Sequence, residues 1–233
     1  MDAWLEWARG PVFLFSFTFM VLGLIRHVGL TAWAMVRTMR RAGDKTIPYA
    51  QVLSATLKWL IPVDKVRSQI LFSLTSLLFH VAILIVPIFL AGHIVLWTRG
   101  LGVSWPAIPN NVADVLTIVA IGTAVALVIQ RATAPATRSL SRFQDYALPL
   151  LVALPFASGY FVMHPSGNPF SYEATLFVHV MSANVLFVLI PLTKLSHMAF
   201  FPSVQMVSEI AWRWPSDSGS KVGLALGKEN EAI

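Results

Sequence analysis

Five stretches of this chain, near residues 11–36, 69–98, 112–131, 145–163 and 174–200, are each apolar for about 20 residues or more, enough to cross roughly 30 Å of hydrocarbon as a helix. A spanning segment must satisfy its own backbone hydrogen bonds, which leaves few solutions besides a bundle of helices. The fold class expected is all-α, a polytopic membrane bundle of five transmembrane helices over residues 1–213 with a polar tail at 214–233. Composition agrees: the 233 residues are 56% hydrophobic and 12% charged, with a mean hydropathy of +0.69. A water-soluble domain of this length could not hide so much apolar surface.

The opening MDAWLEWARG sets Asp2 and Glu6 against Arg9, the wrong balance for a secretory leader, so the first apolar run is expected to stay in the mature chain. Five crossings put the termini on opposite sides. The 36–68 connection carries Arg37, Arg40, Arg41, Lys45, Lys58, Lys65 and Arg67, and the 131–144 connection carries Arg131, Arg138 and Arg142. The alternate loops, 99–111 and 164–173, contain Arg99 as their one basic residue. The positive-inside rule then sets the amino terminus outside and the carboxyl terminus in the cytoplasm, with the chain in the inner (cytoplasmic) membrane. The net charge of +6 is accounted for by these loops and does not call for nucleic acid. Within the long inner connection, AQVLSATLKWLI reads as a short interfacial helix bounded by Pro48 and Pro62, lying on the membrane surface. The tail from Trp214 is polar and glycine-rich, loosely ordered unless a partner holds it.

Four of the six histidines fall in two spans: His80 and His93 in the second, His179 and His197 in the fifth. An imidazole inside a membrane is costly unless paired or ligated. The two spans run antiparallel, so His93 comes level with His179 near the outer face and His80 with His197 toward the inner face. The separations of 13 and 18 residues correspond to about 20 and 27 Å along a helix. Eighteen residues are close to five turns, which places His179 and His197 on one side of a continuous helix. Thirteen leave His80 and His93 roughly 140° apart, so the second span is expected to bend near Pro87.

Paired imidazoles from facing helices suit haem, one on each side of the porphyrin, and such ligation leaves no open position, which favours electron transfer over oxygen chemistry. Zinc would need further donors, and the spans hold almost no carboxylate and no thiol. The alternative for each histidine is a structural hydrogen bond. His27, beside Arg26, reads as an interfacial structural residue, a neighbour of a haem propionate, or a replacement for His80. His164 reads as a solvated loop residue. Lys194, three residues before His197, either offers a cation to a propionate or snorkels to the surface. Asn184 and Ser182 are candidates for bonds between helices, and Gly92 and Gly159 for close approach of a backbone or a flat ring. The chain has no cysteine, so any iron–sulfur cluster belongs to a partner.

The paired histidines, the inner loop RATAPATRSLSRFQDYALP and the end of the fifth span, PLTKLSHMAFF, together resemble the five-span diheme cytochrome b family typified by the gamma subunit of respiratory nitrate reductase. PLTKLSHMAFF is more similar to the membrane cytochromes of dissimilatory sulfite-reductase-linked and heterodisulfide-reductase-like complexes. The resemblance implies two haem b groups, the outer ligated by His93 and His179 and the inner by His80 and His197. It also implies a quinol site beside the outer haem in which Gly92 and His93 take part. The wider spacing of the second-span histidines departs from the nitrate type. A basic or polar group on the quinone head has Arg99 as its nearest counterpart, and Asp114 is a candidate proton acceptor. Arg131, Arg138, Arg142 and Asp145 match the family's basic inner loop ending in an acid.

The function implied is the quinone-reactive, electron-transferring subunit of a respiratory oxidoreductase. Menaquinol or ubiquinol would be oxidised to its quinone near the outer face and the electrons delivered to a cytoplasmic iron–sulfur subunit whose own partner reaction lies elsewhere, or the flow would run in reverse in a quinone-reducing complex. Two rivals stay open: a cytochrome b anchor of a hydrogenase or formate dehydrogenase, and a haem-free transporter or scaffold. Five spans, no visible repeat and no acid deep in the membrane speak against a transporter.

Overall fold

A computed structural model describes residues 2–41, 49–60, 69–197, 204–210 and 218–228. The chain is all-α, with no strand among the described residues. Its elements are α1 (Asp2–Trp7), a π-helical segment (Ala8–Val12), α2 (Phe13–Arg41), α3 (Tyr49–Leu60), α4 (Ile70–Phe89), α5 (Ala91–Leu101), α6 (Asn110–Thr133), α7 (Pro135–Leu140), α8 (Phe143–Met163), α9 (Tyr172–Leu192) and α10 (Ser218–Leu226). Short 3-10 turns follow α8 at Pro165–Gly167 and α9 at Lys194–Ser196. Among the described residues, five segments are long and apolar enough to cross a membrane: Ala3–Arg37, Ile70–Phe89, Asn110–Thr133, Phe143–Met163 and Tyr172–Leu192. Large apolar side chains such as Leu71, Leu77, Leu84, Ile118 and Ile129 point outward. That is the inverse of a water-soluble protein and fits contact with lipid.

Two spans differ from the sequence reading. The second is broken: α4 stops at Phe89, Leu90 is extended (φ −71°, ψ 129°), and α5 restarts at Ala91. The expected bend near Pro87 is thus a full interruption three residues later. The fifth ends at Leu192 instead of 200, one residue after Pro191. Thr193 is extended and its hydroxyl accepts the Leu195 amide, starting a separate turn. His179 and His197 therefore do not share one continuous helix, and five helical turns do not align them.

By contacts the chain divides into two units. The first comprises residues 1–19 and 65–190. Its helices pack through narrow stripes at alternating spacings of three and four: Thr75, Phe79, Ala82 and Val86 on α4, and Ala113, Thr117, Ala120 and Ala124 on α6. Small residues let backbones approach closely where no hydrophobic effect drives helices together. A π-helical turn at Ala8–Val12, which contains Pro11, is tied to α9 by Asn184. The Asn184 side chain, 2% exposed, donates to the Ala8 carbonyl at 2.9 Å and accepts from Ser16 Oγ at 2.9 Å. Phe13, Phe17, Phe187, Trp97 and Trp105 form a run of ring contacts joining the start of α2 with α9, α5 and the following loop. At the α7–α8 corner, Asp145 caps α8 by accepting the Arg142 amide at 2.9 Å, and Arg131 donates to Ser141 Oγ at 3.2 Å.

The second unit comprises residues 20–64 and 191–233. Here α3 does more than lie on a surface, because Val52 (3% exposed) packs with Ile210, Met35 and Met206. Gly23 meets Pro191 so closely that a Cβ on it would stand 2.5 Å from the proline Cβ, and the His27 ring bonds the Pro191 carbonyl at 2.8 Å. Lys45, Lys65 and Arg67, the helix-bounding Pro48 and Pro62, the side chain of Arg41, and tail residues 214–217 and 229–233 lie outside the described residues.

Asn184→Ala removes both bonds. We expect it to cost about 1–2 kcal/mol of stability, read as a lower thermal unfolding midpoint in detergent, whereas Gly122→Ala, which meets open space, leaves the midpoint unchanged.

Candidate functional site

The site begins with the break in the second span. A helix end leaves its last carbonyls without amide partners, and in hydrocarbon such groups must find donors. The His93 and Ile94 amides turn back to the Leu90 carbonyl, so the three carbonyls before it need other partners. Each has one: His93 Nδ1 reaches the Pro87 carbonyl at 3.1 Å, Trp105 Nε1 donates to Ile88 at 2.9 Å, and the Ile108 amide donates to Phe89 at 3.0 Å. A carbonyl only accepts, so the His93 hydrogen is on Nδ1 and the Nε2 lone pair is exposed at the ring's other edge.

The fifth span supplies a second ring anchored on a proline carbonyl, here one inside a continuous helix. His179, two turns into α9, donates from Nδ1 to the Pro155 carbonyl of α8 at 2.8 Å. Gly159, one turn further along α8, makes room for the ring; a Cβ there would lie 3.0 Å from both Cε1 and Nδ1 of His179. The two imidazoles stand close together, with centroids 6.0 Å apart and planes within 9° of parallel. The expected outer pair, His93 and His179, is therefore brought together, half-buried, with both rings held by proline carbonyls in the same tautomer.

The other expected residues are placed as follows. His80, in the first unit, bonds the Ser76 carbonyl through Nδ1 at 2.7 Å, lies 3.5 Å from Ser76 Oγ and meets Phe79 edge-on. His197, in the second unit, is exposed and bonds the Lys194 carbonyl through Nδ1 at 2.7 Å. Lys194 is exposed in the 3-10 turn, and Arg99 is exposed in the last turn of α5. Gly92 faces open space where a side chain would stand. Ser182 bonds back to the His179 carbonyl of its own helix at 2.9 Å, so of the two candidates for bonds between helices only Asn184 makes them. His27 bonds Pro191 through Nε2, in line with a structural role.

Sequence reasoning missed one constellation. His164 is half-buried, not a solvated loop residue: its Nε2 stands 3.3 Å from Asp114 Oδ2, its Nδ1 bonds the Tyr160 carbonyl at 2.9 Å, and its ring stacks on Tyr160 at 4.3 Å. The signal was present in the antiparallel order, since Asp114 opens α6 and His164 closes α8 at the same end of the bundle. Pro155, Gly159 and Trp105, which set the imidazoles, could not be singled out without the packing.

No family model matches the chain, and no solved structure matches it. It is 34% identical over 151 residues to a protein of Nitratidesulfovibrio vulgaris (strain Hildenborough), whose description is "Protein" and names no activity. The match covers 64% of this chain and 66% of that relative, a little under two thirds of its length.

Gly159→Val drives a side chain into the His179 ring. We expect the Nδ1–H signature of His179 in 15N spectra of histidine-labelled protein to be lost or shifted, while that of His80 stays; an unchanged His179 signal would show that the glycine does not set the ring.

Proposed function

We propose that this chain is a diheme b-type cytochrome, the membrane subunit of a respiratory oxidoreductase, carrying electrons between quinone in the inner membrane and a cytoplasmic iron–sulfur subunit. The observation that carries the reading is the His93–His179 pair. An imidazole nitrogen bonds a transition metal at about 2 Å and its ring centroid lies roughly 1 Å beyond, so rings on opposite sides of one metal stand about 6 Å apart. The observed 6.0 Å separation suits that spacing. Among the described residues no third His, Cys, Asp or Glu joins the two imidazoles, which suits a haem donor set rather than a zinc one.

His93 and His179 would hold the outer haem. The sequence reading assigns the inner one to His80 and His197, each ring anchored locally through Nδ1, on the Ser76 and Lys194 carbonyls. Haem bound by two imidazoles supplies one-electron transfer. The chain's own contribution is orientation and tuning: the Pro87 and Pro155 carbonyls hold the Nδ1 hydrogens, fix the ring planes and make Nε2 more basic. Lys194 supplies positive charge at the inner end. Open space at Gly92, next to His93 and two turns before Arg99, gives a flat quinone ring room to approach. Exposed Arg138 and Arg142 form a basic cytoplasmic face that fits an acidic partner.

Purified protein should show sharp low-spin b-type bands in a reduced-minus-oxidised spectrum, about two haems per chain. His93→Ala or His179→Ala should each remove one haem and leave the other; a colourless wild type, or loss of neither haem, would overturn the reading. The near-parallel planes of His93 and His179 make a further demand: the oxidised outer haem should give a rhombic low-spin electron paramagnetic resonance signal, not the highly anisotropic one of perpendicular imidazoles.

A further inference from the structure

At the end of the first unit where α6 begins and α8 ends, Asp114 and His164 make an ion-pair contact. His164 gives its Nδ1 hydrogen to the Tyr160 carbonyl, which can only accept. Its Nε2 stands 3.3 Å from Asp114 Oδ2. A neutral ring would there set a lone pair against a carboxylate, two acceptors facing each other. One more proton resolves the conflict, whether it sits on Nε2 or on the carboxyl. The geometry therefore asks for a proton held by the two side chains in common.

We propose that Asp114 and His164 form a proton-holding pair at the outer end of α6 and α8, which takes up a proton released by quinol oxidation and passes it to water outside. The source of that proton rests on the electron-transfer reading above. Release outward is supported by exposure: 37% of the His164 side chain and 33% of Asp114 remain accessible. On α8, His164 follows five residues after Gly159, which receives the His179 ring, so the pair lies at the same end of that helix as the paired imidazoles. A quinol gives two electrons to the oxidised acceptor chain, ending on the iron–sulfur partner, and two protons. The pair gives the proton it already holds to water on the outer side, one quinol proton takes that place and the other enters water directly, so the pair ends in the state in which it began. Tyr160 presents its ring face and backbone carbonyl to His164, and its hydroxyl takes no part in the exchange.

The test uses full-length protein labelled with 15N-histidine in lipid nanodiscs, the His164 signals assigned by their loss in His164→Gln. At about pH 7, His164 should carry two ring N–H groups in the wild type and one, on Nδ1, in Asp114→Asn, whose amide can donate to Nε2. A single N–H in both proteins, with no carboxylic-acid infrared band that Asp114→Asn removes, would overturn the pair; a single N–H with such a band would support it with the proton on Asp114. With a short-chain naphthoquinol as donor, Asp114→Asn and His164→Gln should each slow oxidation about tenfold or more, the double variant no further, with the haem spectrum unchanged. Unaltered rates in both single variants would overturn the relay. Absence of haem from the wild type would instead overturn the electron-transfer reading and the quinol as proton source, and the ring count would still decide the pair.

Discussion

A backbone carbonyl in hydrocarbon must be given a donor, and much of this site follows from that requirement. Prolines at 87, 155 and 191 lie within helices, and the carbonyl of each is bonded by a histidine ring. At the broken second span the logic is fullest: three successive carbonyls released by the break are met by an imidazole, an indole and a loop amide. The same contacts that make the break tolerable fix the His93 tautomer and hold Trp105 and Ile108 against the helix end. Structure and candidate chemistry are thereby tied to one set of hydrogen bonds.

Much of the architecture was legible in the sequence because bilayer thickness imposes a length that hydropathy records directly. The five spans and the disturbance near Pro87 could be read from residues 11–200, and antiparallel order alone brought His93 level with His179. The end of the fifth span could not. The residues after Pro191 stay largely apolar, so hydropathy runs on to 200 while the backbone leaves the helix at Thr193. Hydropathy measures partition into lipid, not the continuity of hydrogen bonding.

The orientation of the imidazoles was also beyond the sequence, for a different reason. Which nitrogen carries the hydrogen depends on acceptors in another helix or across a break, at Pro155 for His179 and Pro87 for His93. His164 illustrates the converse error: placed after the end of α8 it looks like a loop residue, yet Tyr160 and Asp114 hold it from two sides. A residue at the mouth of a bundle has neighbours that its own flanking sequence does not show.

The acceptors for both paired rings belong to the main chain. A substitution at 87 or 155 exchanges a side chain but keeps the C=O, so the ring anchors are insulated from the usual chemistry of point mutation. Such changes act only by bending or straightening the helix that carries the oxygen. Drift at these positions would therefore be filtered by shape, and a lineage could lose either proline and retain the anchor wherever other residues preserve the same curvature.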